Sequence, residues 1–348
     1  MLKRWDIGCK RASELLVDET KFIAPENGQY FREMPISLFS AVMGLVGLGL
    51  AWNKAAYVLD MPTQIANGLV IVGAAVFIVL TIAFIRRALC CPAAVATEYQ
   101  DPALTGYYST IPIGVLLISA HASNYWSVAA SVGFWVSTVS LVALTALMLV
   151  RFLCKDTAYQ AVNGSWLIGM VSPILVPLAG IPLGYGEISH FCFSVGFALW
   201  LVIFPITLAR LMFGPVTPLD IRPTWFIIIV PPMIIFIGYI SIKGGTLDFF
   251  ARSFFYLGLF LLIALIVASR DIGNWPFSVA WWAFTFPLDG AAAAALTYHE
   301  HSTSDSSYAI AVILLTLASL VVAFVSLRTL TSLFTGTLFS SPPPGSAS

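Results

Sequence analysis

Residues 68–85 have the sequence GLVIVGAAVFIVLTIAFI, a run of apolar and small side chains that contains no charge. With its flanks, 66–88, it has the length that a helix needs to cross a bilayer core about 30 Å thick. A helix satisfies its own backbone hydrogen bonds, which lipid cannot do, whereas a membrane β-barrel would alternate apolar and polar residues. The stretch therefore predicts a transmembrane α-helix.

Nine further segments of the same kind lie on either side of this one. Only 10% of the 348 residues are charged and 59% are hydrophobic, whereas a soluble domain carries about 25% charged residues. We therefore predict an all-α integral membrane protein with ten transmembrane helices, arranged as five helical hairpins, and the lipid bilayer as its main partner. The predicted spans are 35–52, 66–88, 104–121, 128–150, 164–183, 188–211, 223–242, 250–268, 275–297 and 308–331.

Composition also excludes several classes of protein. The formal net charge of +0 argues against a nucleic-acid partner. The five cysteines are odd in number and match no zinc or haem spacing, so no metal and no cofactor are expected. The sequence contains neither Gly-x-Ser-x-Gly nor His-Glu-x-x-His, so the chain is not expected to be an enzyme.

Lysine and arginine set the predicted orientation. With ten spans, 14 of the 17 basic residues lie on the side of the N-terminus, and only Lys54, Lys243 and Arg252 lie on the other. Because basic residues favour the cytoplasmic side, both termini are predicted to be cytoplasmic. The chain then divides into a cytoplasmic segment 1–33, a transmembrane domain 34–335 and a disordered tail 336–348.

Prolines distinguish the odd spans from the even ones. A proline inside a helix removes a hydrogen bond and kinks the helix, and such breaks are tolerated in a membrane where the backbone is buried or faces a water-filled cavity. Among the even spans only the sixth contains a proline, Pro205. We therefore predict kinked odd helices that line a central pore and straighter even helices outside them. The predicted kinks are at Pro112, Pro173, Pro177, Pro231, Pro232 and Pro287.

Residues 281–288, WWAFTFPL, resemble the ninth helix of the tellurite-resistance/dicarboxylate transporter family, which includes bacterial TehA and the plant slow-type anion channels. Weaker similarity extends over roughly 35–335. The resemblance implies a pore closed midway by a phenylalanine of the ninth helix. Phe286 is the matching residue and Phe284 the neighbouring candidate. It also implies a homotrimer and, for a bacterial member, a multi-pass protein of the inner membrane.

The expected function is that of a gated channel for small monovalent anions such as chloride and nitrate. No lysine or arginine lies at mid-depth in the odd spans, so weak selectivity would come from pore width, helix dipoles and hydroxyl groups. The hydroxyl candidates are Ser109, Thr110, Ser172 and Thr285. The alternative is a proton-coupled carrier or exporter of a C4-dicarboxylate such as malate, of sulfite or of tellurite-related anions.

Three titratable residues in the ninth span or just after it are candidates for a proton or pH site. Asp289 follows Phe286 by three positions, and an acid inside a membrane is a functional hypothesis by default. Its alternative role is to bond a neighbouring hydroxyl or broken backbone. His299 and His301 lie near the outer end of this span, where they are either external pH sensors or ordinary interfacial histidines.

Overall fold

The computed structural model describes residues 34–154, 159–302 and 304–336. The predictions for 1–33 and for 337–348 lie outside these ranges. Within them, ten apolar helical segments follow one another along the chain, and a short linking helix, Pro92–Gln100, lies between the second and third. The ten segments are α1 Ile36–Val58, α2 Thr63–Cys90, α3 Thr105–Ala122, α4 Ser127–Cys154, α5 Gly164–Gly180, α6 Gly186–Phe213, α7 Arg222–Ile242, α8 Phe249–Ala268, α9 Val279–Ser302 and α10 Asp305–Phe334.

Each predicted span overlaps one of these segments, and the all-α membrane fold is confirmed. Eight helices in the described part of the chain are long and apolar enough to cross a bilayer. The other two segments are less regular: α3 follows the linking helix at a bend of 110°, and α5 is a shorter apolar helix. Ten complete spans therefore remain a prediction.

Odd and even helices form an inner and an outer layer, as the prolines predicted. In the most apolar stretches of α1, α7 and α9, 67–83% of the residues are buried, against 22–33% in the five even helices. The even helices expose large apolar side chains such as Ile71, Val139 and Leu320. Such a surface suits lipid and would be unfavourable in water.

Two glycines allow α1 and α9 to pack closely at the centre of the inner layer. A Cβ atom at Gly44 would overlap the side chain of Thr285. At Gly47 it would lie 2.9 Å from Cδ2 of Phe286 and 3.0 Å from Oδ2 of Asp289. Small residues are what close helix approach in a membrane requires, and here they bring α1 against the residues of interest on α9.

Four odd helices begin with a 3₁₀ segment before they become α-helical, and this changes the interpretation of the prolines. Pro112 lies in the first turn of the α-helical part of α3, and Pro231 and Pro232 lie in that of α7. In each case the 3₁₀ segment continues directly into the α-helical part, and a proline at the junction cannot donate the hydrogen bond that another residue would make to the preceding turn. These three prolines therefore lie at the junction of a 3₁₀ and an α-helical part, and a kink at each of them stays a prediction.

The remaining predicted prolines do interrupt or enter a helix. In α5 the α-helical part Gly164–Val171 gives way to a 3₁₀ turn, Ser172–Leu175, which contains Pro173, and Pro177 begins the final turn. Pro287 lies inside the α-helical part of α9. It cannot donate a hydrogen bond to the carbonyl of Ala283, one turn earlier.

The linking helix ties the ends of several helices together on the predicted cytoplasmic side. Oε1 of Glu98 accepts a hydrogen bond from the backbone N–H of Ile36, at 3.0 Å, and its Oε2 lies 2.5 Å from Nη1 of Arg87. Arg151 of α4 donates to the carbonyls of Tyr99 and Gln100. These charge-assisted bonds hold the starts of α1 and α3 beside the ends of α2 and α4.

Candidate functional site

Two cavities lie along the axis of the inner layer, and all five odd helices contribute to the wall of each. One lies toward the beginnings of these helices and the other toward their ends. According to the predicted orientation we call them the inner cavity and the outer cavity. Together they define the candidate pore.

The two cavities differ in size and chemistry. The inner cavity measures about 40 Å³, with side chains such as Met43, Ile113 and Leu167 in its wall. A single water needs about 10–15 Å³ on this measure, so a hydrated anion does not fit there. The outer cavity measures about 590 Å³ and has a mixed wall, in which Asn124 and Ser241 lie beside Leu50 and Ile237.

Phe286 separates the two cavities. It is the one side chain that the walls of both cavities share among the described residues, and it is 6% exposed. Its ring contacts the backbone of α1 at Gly47, where a Cβ atom would lie within 2.9 Å. The ring therefore lies between the two cavities, against α1.

Phe284, the neighbouring candidate, occupies a different environment. Its ring packs edge-on against Phe226 of α7, with the ring centroids 4.1 Å apart, and it belongs to the wall of neither cavity. Two residues along a helix turn the side chain by about 200°, so one ring faces the axis while the other packs between helices.

Asp289 lies one turn beyond Phe286, in the wall of the outer cavity. The residue is 1% exposed, and neither carboxylate oxygen has a hydrogen-bond partner among the described residues. A buried carboxylate without a partner is strongly disfavoured in its charged form. The alternative role, a carboxylate bonded to a neighbouring hydroxyl or to broken backbone, is not what this structure has.

The four hydroxyl groups expected to line the path do so only in part. Ser172 lies in the wall of the inner cavity. Thr110 and Thr285 donate instead to the carbonyls of Tyr107 and Trp282, three residues earlier in their own helices. Ser109 belongs to neither cavity wall. A hydroxyl inside a helix commonly bonds its own backbone in this way.

The expected absence of lysine and arginine concerned the mid-depth of the odd spans, and a lysine lies beyond it, at the outer cavity. Lys54 of α1 lies in its wall, and Nζ is 2.5 Å from Oε2 of Glu300 on α9. A sequence signal for Lys54 does exist, because Gly47, Leu50, Lys54 and Tyr57 recur at helical spacing and all face this cavity. A comparable signal exists for the partner, because Phe286, Gly290, Ala293, Thr297 and Glu300 recur at helical spacing on α9 and belong to the same wall.

The two histidines of α9 face different neighbours. Nδ1 of His299 is hydrogen-bonded to the hydroxyl of Ser307 in α10, at 2.8 Å. His301 lies in the wall of the outer cavity, with Nε2 3.5 Å from Oε2 of Glu300. Of the two, only His301 is therefore placed beside the path.

An inner ring of five helices, with two axial cavities that meet at one aromatic side chain, is the architecture of a membrane channel or transporter. Comparison with known families agrees. The profile of the SLAC1 family, described as voltage-dependent anion channel, matches residues 33–330. The chain belongs to this family, which is one of channels and transporters and not of enzymes, and the resemblance inferred from residues 281–288 is confirmed.

Individual relatives are distant. The S-type anion channel SLAH3 of Arabidopsis thaliana is 23% identical over 89% of this chain and 50% of its own length. The guard cell S-type anion channel SLAC1 of the same plant is 30% identical, over 54% of this chain and 31% of its own length. The tellurite resistance protein TehA homolog of Haemophilus influenzae is 23% identical over 77% of this chain and 82% of its own length. The chain thus spans half or less of the two plant relatives.

Proposed function

We propose that this protein is an anion channel whose central pore is closed by the side chain of Phe286 and which passes small monovalent anions such as chloride and nitrate. The observation that carries the proposal is the position of Phe286 as the one side chain common to the walls of both cavities among the described residues. Its relatives SLAH3 and SLAC1 are named as anion channels.

A phenylalanine in a narrow passage closes it by excluding water. The ring offers no hydrogen bond to an anion, and the inner cavity behind it is too small to keep the hydration shell in place. Because no described residue in the wall of the inner cavity carries a charge, the passage offers no fixed charge that would prefer one small anion. Weak discrimination between chloride and nitrate follows.

Anion currents from three proteins test this proposal: the wild type, Phe286→Ala and Phe284→Ala. We expect Phe286→Ala to raise chloride and nitrate currents by at least about tenfold, because lowering a barrier by about 1.4 kcal/mol raises a rate tenfold. Phe284→Ala removes the same atoms two residues away, between helices, and should conduct like the wild type. Equal currents from all three proteins, each shown to be folded and inserted, would contradict the proposal.

A second candidate is a proton-coupled carrier or exporter of malate or another C4-dicarboxylate, of sulfite or of tellurite-related anions. It is favoured by Asp289, a buried acid one turn from Phe286 that belongs to the wall of the outer cavity. A carrier should saturate with substrate and follow a proton gradient, whereas a channel should give unitary current steps. Uptake of malate or sulfite into vesicles, with and without a pH gradient, separates the two.

A pH response could also arise from histidine. Of the two candidates, His301 is favoured as an external sensor because it belongs to the outer cavity, while His299 bonds α10. The substitution His301→Asn should then remove a dependence on external pH that His299→Asn leaves in place. If neither substitution changes the pH profile of the current, Asp289 is the remaining candidate among the three predicted titratable residues.

The setting of this activity is also a proposal. We infer that both termini are cytoplasmic, from the distribution of lysine and arginine. A place in a bacterial inner membrane is inferred from the similarity to the bacterial TehA homolog. A homotrimer, with one pore in each subunit, follows from family membership alone. Light scattering on the detergent-solubilised chain distinguishes a trimer from a monomer.

A further inference from the structure

A charged cluster at the outer cavity is not used by a phenylalanine gate. Lys54, near the end of α1, and Glu300, near the end of α9, form an ion pair with Nζ and Oε2 2.5 Å apart. The two residues are 246 positions apart in sequence. Both belong to the wall of the cavity and neither is fully buried, so the pair is reached from the cavity.

Lys54 is the one lysine or arginine in the walls of the two cavities, as far as the described residues go. All five odd helices end at the outer cavity, and a helix end carries a partial negative charge that disfavours an anion. An anion that enters from this side therefore has one strong point of attraction, the ammonium group of Lys54.

Glu300 occupies that point of attraction. Its carboxylate lies 2.5 Å from Nζ of Lys54, in the position that a bound anion would take. It therefore cancels the positive charge of Lys54 that an incoming anion would meet. An ion pair in partial contact with water contributes little stability, with a median of about 0–1 kcal/mol. Exchange of one carboxylate for an external anion is therefore not costly.

We propose that Lys54 forms an anion-binding site at the outer mouth, in which Glu300 acts as a tethered competitor. A small inorganic anion such as nitrate binds the ammonium group when the carboxylate of Glu300 moves aside. The site would set the concentration at which external anions enter the pore. This role in permeation rests on the proposed channel, whereas binding to Lys54 does not.

The test measures current against external nitrate concentration, at constant ionic strength, in the Phe286→Ala background. Glu300→Gln keeps the size of the side chain and removes the competing charge. We expect it to lower the half-saturating nitrate concentration by about fivefold, the effect of one charge about 4 Å away in a water-filled mouth. Lys54→Met should raise that concentration, and in the double variant Glu300→Gln should have no further effect.

Lys243→Gln is the matched control. Lys243 lies on the same side of the protein, is exposed and belongs to the wall of neither cavity. Its charge is screened by salt, so its removal should leave the half-saturating concentration unchanged. Lys54→Arg should retain the site because it keeps the positive charge. Glu300→Gln distinguishes anion binding from a structural latch between α1 and α9, because loss of a latch alone would not lower the half-saturating concentration.

The outcomes separate this inference from the proposed function. Suppose that Phe286→Ala conducts and that Glu300→Gln changes the half-saturating nitrate concentration no more than Lys243→Gln does. The proposed anion site at Lys54 is then wrong, while closure of the pore by Phe286 is supported. If Phe286→Ala does not conduct, the gate is wrong, and nitrate titration of the purified full-length chain by calorimetry then decides. Tighter nitrate binding by Glu300→Gln than by wild type supports the site, and equal binding overturns it.

Discussion

At the scale of single residues, position on a helix decides the role of two neighbouring phenylalanines. Phe286 separates two cavities, while Phe284 packs against Phe226. The motif at 281–288 indicated Phe286 but left Phe284 as a candidate, because a motif gives spacing without giving the direction of the axis. The contact of Phe286 with Gly47 of α1 supplies that direction.

Asp289 carries a prediction that depends on its charge. The carboxyl of Asp289 is buried without a partner among the described residues. We therefore expect this group to be uncharged while anions pass through the pore. In the Phe286→Ala channel, alkaline conditions that ionise this group should reduce nitrate current, since a carboxylate beside the path repels anions. Asp289→Asn should abolish that reduction.

A pH titration of the current from Phe286→Ala, with and without Asp289→Asn, provides the measurement. The titratable and charged groups that share the outer cavity are Lys54, Tyr57, Glu300 and His301. His301→Asn is therefore the control for a response that arises at the mouth. A pH profile that Asp289→Asn leaves unchanged would show that the acid does not face the permeating anion.

Lys54 and Glu300 show the limit of sequence reasoning at this scale. The face of α1 that contains Gly47 also contains Lys54, so its orientation is predictable from helical spacing. The partner residue is 246 positions away and is brought close only by the packing of α1 against α9. No local pattern in the sequence contains that contact.

At the scale of helices, the contact between α1 and α9 positions Phe286. Gly44→Ala should destabilise this contact, because the added methyl group would overlap the side chain of Thr285. Overpacking of a tight interface costs about 1–3 kcal/mol. Gly68→Ala is the control, since a Cβ atom at Gly68 in α2 meets nothing within 4 Å.

Thermal unfolding in detergent measures this difference. We expect a clearly lower midpoint for Gly44→Ala and an unchanged or slightly higher one for Gly68→Ala, because alanine is favoured over glycine in a helix. Similar midpoints for the two variants would show that α1 and α9 separate without cost and do not fix Phe286.

Prolines predicted which helices form the inner layer. The segregation of prolines into odd spans identified the inner layer, since the inner helices are the ones whose backbone is covered by protein. The sequence does not indicate where a 3₁₀ segment ends and an α-helix begins. Pro231 and Pro232 therefore lie in the first turn of an α-helix and not in its middle.

At the scale of the whole molecule, apolar length and charge asymmetry predicted the fold class but not every span. Long uncharged runs such as 68–85 can cross lipid only as helices, and the helix predicted there is confirmed as part of Thr63–Cys90. The fifth segment is broken at Ser172–Leu175 and the third follows a sharp bend, so neither reaches the length of a regular span by itself. Such irregularity depends on packing inside the layer.

The orientation gives a prediction for reporter fusions. Green fluorescent protein joined after residue 216, in the connection between α6 and α7, should fluoresce, and alkaline phosphatase joined there should be inactive. After residue 246, between α7 and α8, the pattern should be reversed, because the basic residues place these two connections on opposite sides. The same pattern at both sites would contradict both the orientation and the crossing of the membrane by α7.

The measurement that tests the central claim most directly is the unitary conductance of the purified protein in planar bilayers, for wild type and for Phe286→Leu, Phe286→Val and Phe286→Ala. If the ring closes the pore, nitrate conductance should rise in steps as the side chain becomes smaller, from no openings in wild type to the largest steps with alanine. Unitary steps of one size in every variant, or none in any of them, would contradict a pore closed by Phe286.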